Sequence, residues 1–387
     1  MELKDIVKGI DKKYGMEGIA RVGVDNSRFK STLSLGSPSL DFCTYNSIPE
    51  GIFIEISGKE ASGKTTLAFL IASDYIRKEK KKPVEQRRHI LFVDAEGTAD
   101  AEWAYKSTGY DMNDQDIQTL YMTPLGQTAE QIFDMVIEAV KSGQIGLVIF
   151  DSLVAIAPQQ TANESLEKKD MGVMAKVMAD FVRRSTGLFN RFRTTFIGIN
   201  GIIMNISGYG NPETTGGGEY WKRACSLRLK VKRGDYFDDN GAILKSTAES
   251  PSGHIIEVAV LKTKFCRWDR KLGRCHLHYI KGIDVLWDTI EVANHLGIYI
   301  NKINTSWYNF IDPDTSEVLT DEKGNEIKVN GEKNVKKFLE EHTDIWRKIY
   351  DKVYERLTIK DNPNIVSFEK MLGLNVEEEF GEKFDGE

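Results

Sequence analysis

The residues best suited to chemistry lie in Gly58-Lys59-Glu60-Ala61-Ser62-Gly63-Lys64-Thr65, followed by Thr66. The spacing is G-x-x-x-x-G-K-[ST], that of a loop that cradles phosphate. Glycines let the backbone turn so that its N–H groups converge on phosphate oxygens, and a helix N-terminus behind them adds positive potential. Lys64 has the reach for β- and γ-phosphates, and the Thr65 hydroxyl suits Mg2+. The flanks fit: residues 52–56 are apolar and β-branched, as in a strand, and 66–72 read as a helix. A chance match in an ordinary turn has no need of both flanks, so the stretch predicts nucleotide binding.

Two carboxylate positions follow apolar runs. Residues 89–93 end in Asp94-Ala95-Glu96, where a carboxylate could orient, or take a proton from, the water attacking a γ-phosphate. Residues 147–150 end in Asp151-Ser152, and Asp151 suits holding Mg2+ through water. Each alone would serve equally as a helix N-cap; their joint placement after strands beside a phosphate loop favours chemistry. Asp100 offers an acceptor for an adenine amine and Trp103 a stacking face, although a partly buried core tryptophan is commoner. Lys262 and Lys264 point to one side of an extended chain, about 6–7 Å apart. They face either solvent or a phosphate held across an interface.

Two segments read as surface loops, 158–170 and the glycine-rich 201–218. A long glycine-rich loop in a compact domain is usually disordered or functional. Backbone N–H groups at Gly216, Gly217 and Gly218 could hold the phosphates of a nucleic-acid strand, with Lys176 and Arg183, two turns apart on one helix face, serving the same backbone.

These residues need a scaffold. The runs 52–56, 89–93, 147–150 and 195–199 are near-continuously apolar, with helical stretches such as 127–142 and 172–190 between them. That pattern predicts an α/β fold with a mainly parallel sheet covered on both faces, and ligands at the carboxyl ends of its strands. Runs 226–232 and 254–261 alternate more, as in an antiparallel extension. Residues 3–16 form an amphipathic helix (Leu3, Ile6, Val7, Ile10, Tyr14) and 19–24 a short strand, either lying on the core or acting as an arm toward a neighbour's sheet. Beyond Gly282 a helix at 284–296, a hairpin region across 307–331 and helices at 332–340 and 343–357 make a small α+β domain carrying Lys328, Lys333, Lys336 and Lys337. The expected division is an arm over 1–35, a core over 36–282, a C-terminal domain over 283–365 and a tail over 366–387.

Charge and composition limit the function classes. The 387 residues carry a net charge of −6. From Val376 to Glu387 there are six acids and one base, Lys383, so this tail holds five of those charges and the body only one. A nearly neutral body is compatible with a local basic groove. No run approaches a membrane span, the start lacks a signal-peptide pattern, and four scattered cysteines suit a reducing compartment. Cys275-His276-Leu277-His278 lacks the paired spacing of a zinc site and is explained by alternation in a strand.

The motifs together resemble those of the bacterial recombinase family RecA, as in a divergent or bacteriophage-encoded member: GKEASGKTT at 58–66, FVDAE at 92–96, VIFDS at 148–152, Met171-Gly172, and GNPETT at 210–215 with its following glycines. The last is specific to the family, whereas the phosphate loop is general. The resemblance runs from the first helix to about residue 360. It implies a RecA-like ATPase core and a helical filament of protomers on single- and double-stranded DNA in a bacterial or phage-infected cytoplasm, with ATP and Mg2+ between neighbours. By resemblance, Glu96 activates the water and Lys64 and Thr65 meet phosphate and magnesium, as Asp151 does the magnesium. Asp100 and Trp103 contact adenine, where the family typically has Tyr for Trp. Lys262 and Lys264 act in trans on a neighbour's ATP. The loops 158–170 and 201–218 bind DNA, with Met204 and Ile206 near the bases and Thr215 to Gly218 at the strand. The C-terminal domain gathers duplex and the acidic tail regulates it, competing with DNA for the basic residues of that domain.

The chain departs from the family at three places. Gly201 stands where a glutamine usually senses the γ-phosphate, Ile203 where Arg is common, and Arg223 where an interface Phe is common. Three functions therefore compete: a strand-exchange recombinase, an ATP- and DNA-binding mediator without exchange, and a hexameric helicase motor. GNPETT and the arm disfavour the helicase, and the retained Glu96, Asp151, Lys262 and Lys264 disfavour the mediator.

Overall fold

The computed structural model describes residues 2–15, 22–23, 32–162, 172–204, 213–239, 241–358 and 375–381. At its centre is one twisted sheet. From one edge its main strands run Gly282–Ile283, Leu272–His278, Gly253–Thr263, Leu227–Phe237, Phe53–Gly58, Thr195–Met204, Ile145–Asp151, His89–Asp94 and Thr119–Met122. The six from Leu227–Phe237 onward are parallel, and the first three continue antiparallel. The expected α/β fold with a mainly parallel sheet is present. One assignment is corrected: the strand expected at 226–232 is not simply part of an antiparallel extension. It pairs parallel with Phe53–Gly58 and antiparallel with Gly253–Thr263, and its first half is buried, so its own pattern could not tell the two partners apart.

Alternation along the phosphate-loop strand sorts the core. Ile54 and Ile56 join the cluster under helix Lys64–Glu79, and Phe53 faces the other side, toward helices Ala129–Lys141 and Val173–Phe192. There Phe53, Phe133, Phe181, Phe189, Phe196 and Trp221 form a mesh of ring contacts. Each such side chain contributes about 1.5–3 kcal/mol on burial. Glu55, also on that face, is fully buried, and accepts from Asn200 Nδ2 (2.9 Å), Trp221 Nε1 (3.0 Å) and Arg228 Nε (2.6 Å). Three donors compensate its desolvation, and removing any one would leave a buried charge short of a partner.

The C-terminal unit follows the expected order: helix Val285–Leu296, strands Ile300–Lys302, Trp307–Phe310 and Lys328–Asn330, then helices Glu332–Glu341 and Thr343–Leu357. Its hydrophobic cluster includes Phe42 from the core side, and Asp288 on its first helix accepts from Ser37 Oγ (2.6 Å) and His276 N (3.1 Å). Helix Leu3–Tyr14 has no buried residue. The strand expected at 19–24 lies outside the described residues except Val22 and Gly23, which form a bend.

Candidate nucleotide site and DNA-facing loops

The strand Phe53–Gly58 delivers the chain into the phosphate loop. A Cβ at Gly58 would sit 2.4 Å from the Val231 carbonyl oxygen and 2.6 Å from Ser62 Oγ, so only glycine fits. Gly63, at φ +97°, caps helix Lys64–Glu79 from the left-handed region. The Ser62 hydroxyl is buried and has no hydrogen-bond partner among the described residues. Lys64 Nζ curls back to the Lys59 carbonyl at 2.8 Å. Burial lowers its pKa, against the pull of Asp151, Glu96 and Glu60. A loop with an orphaned hydroxyl, a helix N-terminus and a partly desolvated ammonium fits a polyphosphate.

The neighbouring strands separate the two carboxylates at 94 and 96. Asp94 is buried and saturated: it accepts from the N–H groups of Gly97 (2.8 Å), Thr98 (3.3 Å) and Ala99 (2.9 Å) and from the Tyr121 hydroxyl (2.5 Å). Burial alone would raise its pKa, but these bonds outweigh that and lower it. Asp94 therefore shapes the turn, and the turn presents Glu96, which is exposed and accepts from the Ser152 hydroxyl. Of the two, Glu96 is the one available to a water.

Asp151, paired in register with Asp94, accepts from Thr65 Oγ1 at 2.7 Å. The peptide that follows it is cis. Burial, with Glu96 and Asp94 nearby, raises its pKa to about 6 despite the Thr65 bond. A hydroxyl and a destabilised carboxylate side by side fit a hydrated divalent cation: Thr65 would ligate Mg2+ and Asp151 would hold its water. When bound, Mg2+ supplies charge neutralisation at the phosphates. Below about pH 6 Asp151 is protonated, so Mg2+ affinity of the nucleotide-bound protein falls as pH drops through that value, and binding there releases protons. Titration calorimetry in buffers of different ionisation enthalpy checks this, with Asp151→Asn expected to remove the protein's share of the released protons.

Asp100 caps helix Ala101–Thr108 through Trp103 N (3.0 Å), which commits one of its oxygens, and Trp103 packs partly buried against the core. Lys262 and Lys264 are not simply solvated. Lys262 Nζ donates to the carbonyls of Lys222 (2.7 Å) and Arg223 (3.0 Å), and Lys264 Nζ to Arg223 (2.7 Å), at the C-terminus of helix Gly218–Ala224. Burial, and then the Lys264 charge, lower the Lys262 pKa to about 8.

The second loop is shorter than expected at 201–218. Strand Thr195–Met204 continues to Met204 and pairs antiparallel with Glu213–Thr215, so Ile202 faces Thr215. Gly217, at φ +87° and buried, caps helix Gly218–Ala224, and a Cβ at Gly218 would meet Ala175 at 2.5 Å. These two glycines thus serve a turn and a close helix contact. Gly216 lends its carbonyl to Asn200 Nδ2 at 2.9 Å. The Thr215 hydroxyl is buried without a partner among the described residues. Lys176 and Arg183 are exposed on helix Val173–Phe192, Arg183 also paired with Asp180 (2.8 Å) and lying over the Tyr220 ring. Ile206, the Met204 side chain and most of the first loop lie outside the described residues; that loop begins as a short helix, Gln159–Ala162.

Sequence reasoning missed Asn200 and Glu55. Asn200 ties the phosphate-loop strand to Gly216 at the root of the second loop, and Gly58 is in register with Gly201. The signal was a charged residue in the middle of an apolar strand.

The family model for the RecA N-terminal domain matches residues 1–284. Protein RecA of Mycoplasma mobile is 31% identical over 367 residues, covering 94% of this chain and 99% of its own length. Protein RecA of Campylobacter hominis is 30% identical, covering 92% of both chains, and that of Aquifex aeolicus 29% identical, covering 98% and 96%. With a matching core, a matching phosphate loop and near-full-length relatives, this chain belongs to the RecA family.

Proposed function

We infer that this chain is an ATP-dependent DNA recombinase that polymerises on single-stranded DNA and exchanges it into homologous duplex. One juxtaposition carries the reading: the phosphate loop and the GNPETT segment are rooted side by side, with Gly58 opposite Gly201 and Asn200 bonded to both Glu55 and Gly216. A nucleotide and a strand of DNA bound to these loops would share one rigid sheet edge. Lys64 and Thr65 hold the phosphates and Mg2+, Asp151 the hydrated ion, and Glu96 orients the water. Lys262 and Lys264 serve the neighbour's nucleotide, whose phosphates must displace the Lys222 and Arg223 carbonyls.

The filament reading has two supports within the single chain. Helix Leu3–Tyr14 buries none of its residues and leaves Leu3, Ile6 and Tyr14 exposed. Strand Thr119–Met122, at one edge of the sheet, leaves Leu120 and Tyr121 about half exposed. An arm and an open edge are complementary needs of identical protomers. Among the described residues no helix is long and apolar enough to cross a membrane. The test is ATP hydrolysis with and without single-stranded DNA: stimulation by DNA is expected, and a rate indifferent to DNA contradicts the reading.

Gly201 favours a second reading, a mediator that binds both ligands without tight coupling. Glycine has no side chain to differ between the nucleotide states, and coupling requires such a differential contact. A Cβ at Gly201 would lie 3.5 Å from Val154, so a larger residue is sterically acceptable. Gly201→Gln is expected to raise the gain in DNA affinity caused by a non-hydrolysable ATP analogue, by an amount within the roughly 5–150-fold range of site coupling, and reciprocally to tighten nucleotide binding by DNA. A wild type that already shows a large gain, to which the variant adds nothing, places the signal at another residue such as Asn200.

A further inference from the structure

The turn that carries Glu96 is held at its root by Asp94, and the four bonds to that carboxylate come from two places. Gly97 N and Thr98 N donate to Oδ1 and Ala99 N donates to Oδ2, so three donors belong to the turn itself. The fourth, the Tyr121 hydroxyl, donates to Oδ2 at 2.5 Å from the neighbouring strand Thr119–Met122. Register puts Tyr121 opposite Phe92, and Asp94 lies two residues further along the same face, so the hydroxyl reaches it on the diagonal. The Tyr121 ring is stacked on Phe92, with centroids 5.9 Å apart and planes 5° from parallel. Phe92 in turn meets Phe69 of helix Lys64–Glu79 at 5.7 Å. The ring is thus aligned from the helix behind the phosphate loop, although Tyr121 is 46% exposed at an edge of the sheet.

Three backbone donors already satisfy the buried carboxylate, so the fourth is not needed to keep Asp94 in the interior. What it adds is direction. Bonds from 97–99 close the turn on Asp94, but they leave turn and carboxylate free to swing together about the end of the strand. Gly97, at φ +67°, directly follows Glu96 and adds no stiffness of its own. We propose that Tyr121 is a positioning residue for ATP hydrolysis: through Asp94 it fixes the turn 95–99 against the sheet, and with it the place of the Glu96 carboxylate beside the attacking water. Its hydroxyl is spent on Asp94, so it acts through that residue and not on the nucleotide. Burial, and then the bond to Asp94, raise the Tyr121 pKa, so the hydroxyl stays a donor at neutral pH. The Ser152 hydroxyl holds Glu96 at its other end. The proposal rests on the reading of Glu96 as the group that orients the water.

The test is steady-state ATP hydrolysis by the full chain over a range of ATP concentrations, with and without single-stranded DNA, in wild type and Tyr121→Phe. Phenylalanine keeps the ring on Phe92 and loses only the hydroxyl, and thermal melting checks that the variant folds. A kcat about ten-fold lower is expected, with KM for ATP within about two-fold, since slight misplacement of a catalytic group costs rate and not binding. The same change is then made in Glu96→Gln and in Asp94→Asn. Residues that act as one unit are not additive, so in both backgrounds Tyr121→Phe is expected to change kcat by less than about two-fold. A wild-type kcat in Tyr121→Phe overturns the proposal, while Glu96→Gln still judges the water-orienting carboxylate. A loss of full size that persists in either background also overturns it, because a merely structural role predicts the same loss everywhere. Normal hydrolysis by Glu96→Gln overturns the reading of Glu96 and this proposal with it. The DNA-free rates give the same comparison in a chain whose hydrolysis DNA does not stimulate.

Discussion

Lys64→Ala is expected to lower ATP turnover by about 10²–10³-fold or more, the range for deleting one preorganised donor at developing charge. Lys64 is the loop cation at the start of the helix, whereas Lys59 is paired with Glu213. Its ammonium donates to the Lys59 carbonyl, and burial already lowers its pKa, so its desolvation is compensated best by a phosphate. Alanine is a good helix former at the start of Lys64–Glu79 and removes no core contact, so the variant folds. Filaments that depend on bound ATP are lost with the turnover. The check is steady-state hydrolysis on single-stranded DNA together with filament imaging. Equal hydrolysis in variant and wild type removes the phosphate loop from the mechanism.

Glu96→Gln should separate binding from chemistry. Glutamine keeps an oxygen for the Ser152 hydroxyl, so the turn built on Asp94 is retained while the basic carboxylate is lost. ATP remains bound and hydrolysis slows by roughly 10²-fold or more, as for loss of a positioned base. Filaments on DNA become longer-lived, because hydrolysis is what ends the ATP-bound state. Nucleotide affinity, single-turnover hydrolysis and filament lifetime measure the three parts. Normal turnover in the Glu96→Gln variant would assign the water to another group. Asp94→Asn, by contrast, should also disturb the turn itself, since Asp94 accepts four hydrogen bonds there.

How much of this was legible in the sequence depends on how local the cause is. The phosphate loop is set by two glycines, a lysine and a hydroxyl within eight residues, between a strand and a helix whose patterns are also local. Asp151 and a carboxylate within Asp94-Ala95-Glu96 are legible by the same reasoning, because a parallel strand ends in a polar turn at the sheet's carboxyl edge. The choice between Asp94 and Glu96 is only partly local: the turn at 97–99 supplies three of the bonds that consume Asp94, and Tyr121, from another strand, supplies the fourth. The direction of Leu227–Phe237 is hidden for the same reason, since a strand buried between two neighbours reads alike whether they run parallel or antiparallel. Lys262 and Lys264 are visible as like charges on one side, but their partners are carbonyls some forty residues away. The tail's six acids draw attention to charge, while Val376 and Phe380, two apolar residues in a polar run, pack against Ala259, Leu261 and Leu272 of the core.

The most direct test of the central claim is joint-molecule formation. Homologous single-stranded and duplex DNA are mixed with the protein, with ATP, without it, and with a heterologous duplex as control. A recombinase gives joint molecules that need both ATP and homology, and Lys64→Ala gives none. Protein that binds ATP and DNA under the same conditions yet yields no joint molecules above the heterologous control would contradict the account, and would leave the chain a RecA-family protein that does not exchange strands.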